Sequence, residues 1–167
     1  MSVPKILLFH GKEGSPNGRK ATFLKEHPKY NAHVPSYPSN DGPVSEVFDQ
    51  CYTIAQQELA QFQPDLVIGS SFGGGILLRL VTEKRWTGPS LFLAQAGVMY
   101  NISTALPQGL QATLIHGTKD TIVDYQDSVL LAESSAKARL ILTNDSHGLE
   151  NLLGGLFELT IDHLLQS

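Results

Sequence analysis

Gly69-Ser70-Ser71-Phe72-Gly73 places a serine two positions from a glycine on either side, the spacing G-x-S-x-G. The apolar run Asp65-Leu66-Val67-Ile68-Gly69 leads into it, and a helical face of Ile76, Leu77, Leu80 and Val81 follows. The serine therefore falls on a tight turn from a buried strand into a helix, where its hydroxyl projects into a cleft and small flanking residues allow close packing. A serine alcohol is a weak nucleophile at neutral pH and needs a neutral imidazole as base, itself held by a carboxylate. His116-Gly117-Thr118-Lys119-Asp120 and Asp145-Ser146-His147-Gly148 offer both, each just beyond a further apolar run. Ser71 as nucleophile, Asp120 as acid and His147 as base make a set for attack on an acyl carbonyl.

Each residue has a plainer reading. Ser71 could merely cap a helix in a glycine-rich turn, Asp120 could start an Asx turn before Thr121, and His147 could be a loop histidine without a duty. Asp124 and Asp127 are the substitute acids, and Asp120 is preferred because it stands closest to the strand end. His27 and His33 precede the serine in weaker elements, His116 ends a strand whose next loop supplies the acid, and His163 lies late in the last helix. His147 is the base that remains.

The elements that must position these groups alternate between strand and helix. Residues 6–9 read as a buried strand running into the polar, glycine-rich segment 11–18, with a helix capped by Ser15 and turning Phe23 and Leu24 inward. A second strand is expected at 31–35. The clearest periodicity is Val44, Val47, Phe48, Cys51, Ile54, Ala55, Leu59 and Phe62, one apolar helical face ending near Pro64, which makes Cys51 a buried small hydrophobe. Further strands are expected at 65–69, 90–94, 112–116 and 138–142, a helix at 126–134, and a terminal helix with the stripe Leu149, Leu152, Leu153, Leu156 and Leu159. Residues 95–109 form a connection long enough to be a short lid or the wall of a pocket. Strand and helix in alternation imply an α/β fold, a three-layer α/β/α sandwich with an open, mainly parallel sheet of about six strands. Ligands in such folds gather beyond the carboxyl ends of the strands.

A chain of 167 residues fits one domain, residues 1–167, able to bury roughly two-thirds of its surface. With 41% hydrophobic and 17% charged residues it is no disordered chain. Twelve Lys and Arg against 16 Asp and Glu, with no basic block, argue against nucleic acid as a partner. The single cysteine excludes an internal disulfide and a cysteine-based zinc site, and suggests a reducing, cytoplasmic setting. No apolar run has the ~20 residues that span a bilayer. Gly11-Lys12-Glu13-Gly14 with Gly18 misses the G-x-G-x-x-G of a dinucleotide loop, and neither glycine-rich loop ends in the Gly-Lys-Ser/Thr of a phosphate-binding loop.

His10-Gly11-Lys12 after the first strand, Gly69 to Gly74, and the pair His116 to Asp120 with Ser146-His147-Gly148, in the chain order serine, acid, histidine, carry a resemblance. The sequence resembles the α/β-hydrolase superfamily, and within it the small bacterial YqiA-type esterases, from Ile6 to Leu165. The resemblance implies a minimal α/β-hydrolase fold without a cap domain, starting at what is the third strand of larger members. It implies Ser71, Asp120 and His147 as catalytic triad, and an oxyanion hole from the backbone N–H groups of Phe72 and Lys12, with Glu13 a close second to Lys12. Glu13, Val98, Met99, Tyr100, Ile122 and Val123 are the candidate substrate-binding residues of a shallow, open pocket, with a plain core role as the alternative for the apolar ones.

The implied activity is hydrolysis of carboxylic esters of small or medium acyl groups through an acyl-enzyme. A thioesterase, amidase or peptidase using the same triad, or a non-catalytic binding protein of the same fold, are the alternatives. The expected partner is a small-molecule ester or thioester; no metal or organic cofactor is called for, and a homo-oligomer is left open.

Overall fold

The computed structural model describes residues 2–167. Its elements in chain order are β1 (Lys5–Phe9), α1 (Arg19–Glu26), β2 (Asn31–His33), α2 (Val44–Phe62), β3 (Leu66–Ser70), α3 (Phe72–Thr82), β4 (Ser90–Leu93), β5 (Ala112–Gly117), α4 (Gln126–Glu133), β6 (Ala138–Thr143) and α5 (Leu156–Gln166). The strands form one six-stranded sheet in the order β2-β1-β3-β4-β5-β6, every pairing parallel.

Alternating side chains along each strand build two cores. Leu7, Phe9, Val67, Phe92 and Leu114 face α2, α3 and α4, whereas Ile6, Leu8, Leu66, Ile68, Leu91, Leu93 and Ile115 face α1 and α5. A sheet covered on both faces needs strands that are apolar throughout, and the runs LVIG, SLFL and ATLIHG are buried along their length. This is a three-layer α/β/α sandwich without a cap domain. The direction of strand succession reverses between β1 and β3, so the loops after these two strands open apart at the sheet's carboxyl edge, where α/β folds place ligands.

Four expectations need correction. Ser15 does not cap α1: its Oγ accepts from the Asn17 N–H at 3.1 Å, a local turn that delays the helix to Arg19 behind Gly18. The second strand ends at His33, since Pro35 lacks the N–H a ladder needs. In the terminal segment Leu149, Leu152 and Leu153 precede α5; residues 152–154 form a 3₁₀ turn, and Gly155 at φ 120° redirects the chain. Leu159 is 70% exposed, so the buried face of α5 is Phe157, Thr160, Ile161 and Leu164 instead. Cys51 is fully buried, and burial, then the charge of Asp41, push its thiol up to about 11. Among the described residues no helix is long and apolar enough to cross a membrane.

Candidate active site

Ser71 stands between the last residue of β3 and the first of α3 with φ 53° and ψ −111°, a backbone conformation that costs an L-residue energy. Neighbouring backbone holds it there. The Ser71 N–H donates to the Leu93 carbonyl at 2.9 Å, and the Ser71 carbonyl accepts from Ala96 at 3.0 Å. A Cβ on Gly69 would collide with the Gly73 carbonyl, and one on Gly73 with the Phe9 carbonyl. The two glycines of G-x-S-x-G are thus the condition for α3 to lie against β1 and β3.

The Ser71 hydroxyl lies 2.8 Å from His147 Nε2, and His147 Nδ1 lies 2.6 Å from Asp120 Oδ2. A carboxylate only accepts, so Nδ1 carries the proton, and Nε2 presents its lone pair to the serine hydroxyl. Ser71, His147 and Asp120 form a Ser-His-Asp catalytic triad in geometry. The Asp120 side chain is fully buried, and that of His147 is 21% exposed.

Asp120 also makes the Asx turn: its Oδ1 accepts from the N–H groups of Ile122 at 2.8 Å and Val123 at 2.9 Å. The structural and the chemical roles reside in the same carboxylate. Burial pushes its pKa up, but the Val123 amide, the His147 imidazole and the Ile122 amide together outweigh that and hold it below the usual carboxylate range. His116 Nε2 approaches the same Oδ2 at 3.0 Å. Asp124 instead accepts from the Gln126 N–H at 2.9 Å at the start of α4.

The His147 loop is fixed from beneath. Buried Asp145 accepts from the Asn151 side-chain amide at 2.6 Å and, through its backbone carbonyl, from Lys119 at 3.0 Å. The acid loop and the base loop are thereby bonded to each other as well as through the triad.

Across the cleft, the loop after β1 turns sharply, with Gly14 N–H donating to the Gly11 carbonyl at 3.0 Å and His10 Nδ1 to the same oxygen at 2.8 Å. Two donors on this carbonyl fix the Gly11–Lys12 peptide, and Ser39 Oγ, donating to the Lys12 carbonyl at 2.7 Å, fixes the next. Among the described residues neither the Lys12 nor the Glu13 N–H has an acceptor. Burial lowers the His10 pKa, so this imidazole is a neutral brace for the loop.

A cavity of about 420 Å³ spans both sides, lined by the loop from Gly11 to Gly14, Lys20, Ser70, Ser71, Met99, Tyr100, Ile122, Val123, His147 and Gly148. Five of the six candidate substrate-binding residues border it. Val98 does not; it packs against the core cluster that contains Phe48 and Phe72. Tyr100 stands edge-on to Phe48 and Phe72 with centroids 6.0 and 6.1 Å away, so the connection after β4 is a pocket wall anchored to the core. Lys20 also borders the cavity: it enters from α1, with Nζ 3.4 Å from the Gly148 carbonyl, and desolvation and the charge of Arg19 lower its pKa against the pull of Glu150. No motif marks a lysine whose relevance arises only from packing across the cleft.

No protein-family model matches the sequence, and no curated protein matches it. Solved structures do. A Xanthomonas campestris protein described as a hydrolase of the α/β superfamily superposes with a TM-score of 0.77 at 18% identity, covering 100% of both chains. Mouse alpha/beta hydrolase domain-containing protein 10 gives 0.79 at 19% identity over 99% of this chain and 90% of its own. Est1E from Butyrivibrio proteoclasticus, solved with ferulic acid bound, gives 0.73 at 15% identity over 98% and 88%. The chain has the α/β-hydrolase fold.

Proposed function

We propose that this protein is a serine hydrolase that cleaves carboxylic esters of small or medium acyl groups through an acyl-enzyme, with thioesters as the second substrate class, and that it is akin to the YqiA-type esterases. The single observation carrying the reading is the unbroken sequence of contacts Ser71 Oγ, His147 Nε2, His147 Nδ1 and Asp120 Oδ2 at 2.8 and 2.6 Å.

In the first half-reaction Ser71 Oγ attacks the acyl carbonyl carbon while His147 Nε2 takes the hydroxyl proton. Asp120 orients the imidazole and stabilises the imidazolium that forms. The oxygen that gains charge is met by the N–H of Phe72, which opens α3 and has no intrahelical acceptor, and by the N–H of Lys12, with Glu13 next to it. One such donor contributes about 3 kcal/mol to the transition state. Collapse breaks the bond to the leaving alcohol or thiol, which departs with the proton from His147. Water then attacks the acyl-enzyme, His147 accepts its proton, and the proton returns to Ser71 as the acid is released.

Met99, Tyr100, Ile122 and Val123 offer the acyl chain an apolar wall, and Glu13 borders the polar side. Met99 at 44% and Ile122 at 64% exposure stand at an open rim. A cavity of about 420 Å³ with such a rim suits a short or medium chain better than a long lipid enclosed under a lid. The test compares kcat/KM over acyl esters from two to sixteen carbons, matching thioesters, and a peptide library. A maximum at short or medium length supports the reading; preference for the longest esters, or peptide cleavage with negligible ester turnover, contradicts it.

A further inference from the structure

Asp120 is faced by two histidines, and the proposed reaction uses only one. His116, at the end of β5, is fully buried, with Nε2 3.0 Å from Asp120 Oδ2 and 3.1 Å from the Val123 carbonyl. Both neighbours are acceptors, so Nε2 bears a proton and is shared between them. On the other side of the ring Nδ1 lies 2.7 Å from Ser128 Oγ in α4, and that oxygen is 3.3 Å from Gln95 Nε2. Gln95 Oε1 accepts from the Gly97 N–H at 2.8 Å, which fixes the amide so that its NH₂ points toward Ser128. Ser128 Oγ therefore accepts a hydrogen bond from Gln95, leaving its own hydroxyl hydrogen to donate to His116 Nδ1. Gln95 and Ser128, like His116, are fully buried.

We propose that His116 is a positioning residue for Asp120, the last member of a one-way hydrogen-bond relay running Gly97, Gln95, Ser128, His116, Asp120, which aims the acid of the triad at His147. This inference rests on the serine-hydrolase reading.

The relay runs in only one direction because its ends are fixed: a backbone N–H can only donate and a carboxylate can only accept. With the Ser128 hydrogen directed at Nδ1, His116 is held as a neutral Nε2–H donor. A charged imidazolium there would offset the Asp120 charge that the His147 imidazolium needs in the transition state; a neutral donor restrains the carboxylate without cancelling it. The relay starts on the segment that also supplies the Ala96 N–H to the Ser71 carbonyl, so the nucleophile's turn and the acid's orientation share one support.

Two substitutions separate positioning from packing. His116→Gln keeps an amide N–H that can reach Asp120; His116→Phe fills the site and cannot donate. The charged groups around the triad, Lys20 at the Gly148 carbonyl and Glu150 at Ser146, are the same in both variants. The readouts are kcat and KM for a short-chain ester, the acid limb of the kcat/KM profile, and the low-field proton resonance of the His147–Asp120 hydrogen bond. His116→Phe should lower kcat about tenfold or more with KM little changed. It should also move the acid limb to higher pH and the resonance downfield, because Asp120 loses a competing donor. His116→Gln should recover most of all three.

An unmoved limb and resonance in folded His116→Phe, or equal losses in both variants, overturns the proposal. If His116→Phe does not fold, Ser128→Ala decides: a smaller shift of limb and resonance in the same direction supports the relay, and no shift overturns it. A wild-type protein inert to a fluorophosphonate would defeat the serine-hydrolase reading, while the resonance still reports on the relay without turnover.

Discussion

The catalytic turns and the rim of the cleft are built differently. On the side of β3, β4, β5 and β6, Ser71, Asp120 and His147 stand on turns pinned by backbone bonds from neighbouring strands, and Asp120 alone accepts four hydrogen bonds. On the rim, Met99 and Ile122 are 44% and 64% exposed, even though the Ile122 backbone N–H is bonded to Asp120 Oδ1. The difference teaches that the groups needing sub-ångström placement are fixed by peptide geometry, whereas the rim proposed to choose the acyl group is free to vary at little cost to the fold.

Substitutions on the pinned side should therefore break chemistry. Ser71→Ala and His147→Ala should each lower kcat on the order of 10⁶-fold, and the double variant should lose no more than either alone, because the residues act as a unit. Steady-state ester turnover of the three variants checks this. Asp120→Asn should cost about 10⁴-fold through the wrong imidazole tautomer. If Asp124→Asn were the damaging change instead, the acid would be misplaced.

Asp120 also links the site to stability. Its carboxyl is held below the ordinary value, so its ionised form contributes fully above that value and the contribution is lost progressively as pH falls from about 3.9 through the lower folded value. Urea unfolding between pH 6 and pH 3 should show a steeper loss for the wild type than for Asp120→Asn. Gly73→Ala should destabilise by at least about 1–3 kcal/mol, since its methyl meets the Phe9 carbonyl, with circular dichroism melting as the check. Ile122→Ala on the rim should leave stability within about 0.5 kcal/mol and kcat nearly unchanged, while altering KM and the preferred acyl length.

The same contrast decides what could be read from the sequence. Ser71, Asp120 and His147 were legible because each follows an apolar run, and parallel strands deliver their carboxyl ends to one edge. Residues 44–62 were legible because a 3.6-residue period sustained over five turns has no competing interpretation. The start of α1 was not, because the Ser15 hydroxyl serves a local turn as readily as a helix. The outward face of Leu159 was not legible, because periodicity marks an apolar residue without marking which side of a bent segment it faces. Gln95, Ser128 and Lys20 carry no motif, since their partners come from elements distant in the chain.

The central claim is that Ser71 is the covalent nucleophile of an acyl-transferring site, and intact-mass measurement after exposure to a fluorophosphonate tests it most directly. The account predicts one adduct on the wild type, mapped to the peptide containing Ser71, and none on folded Ser71→Ala. Equal labelling of the two proteins, or an adduct on another serine, would contradict it.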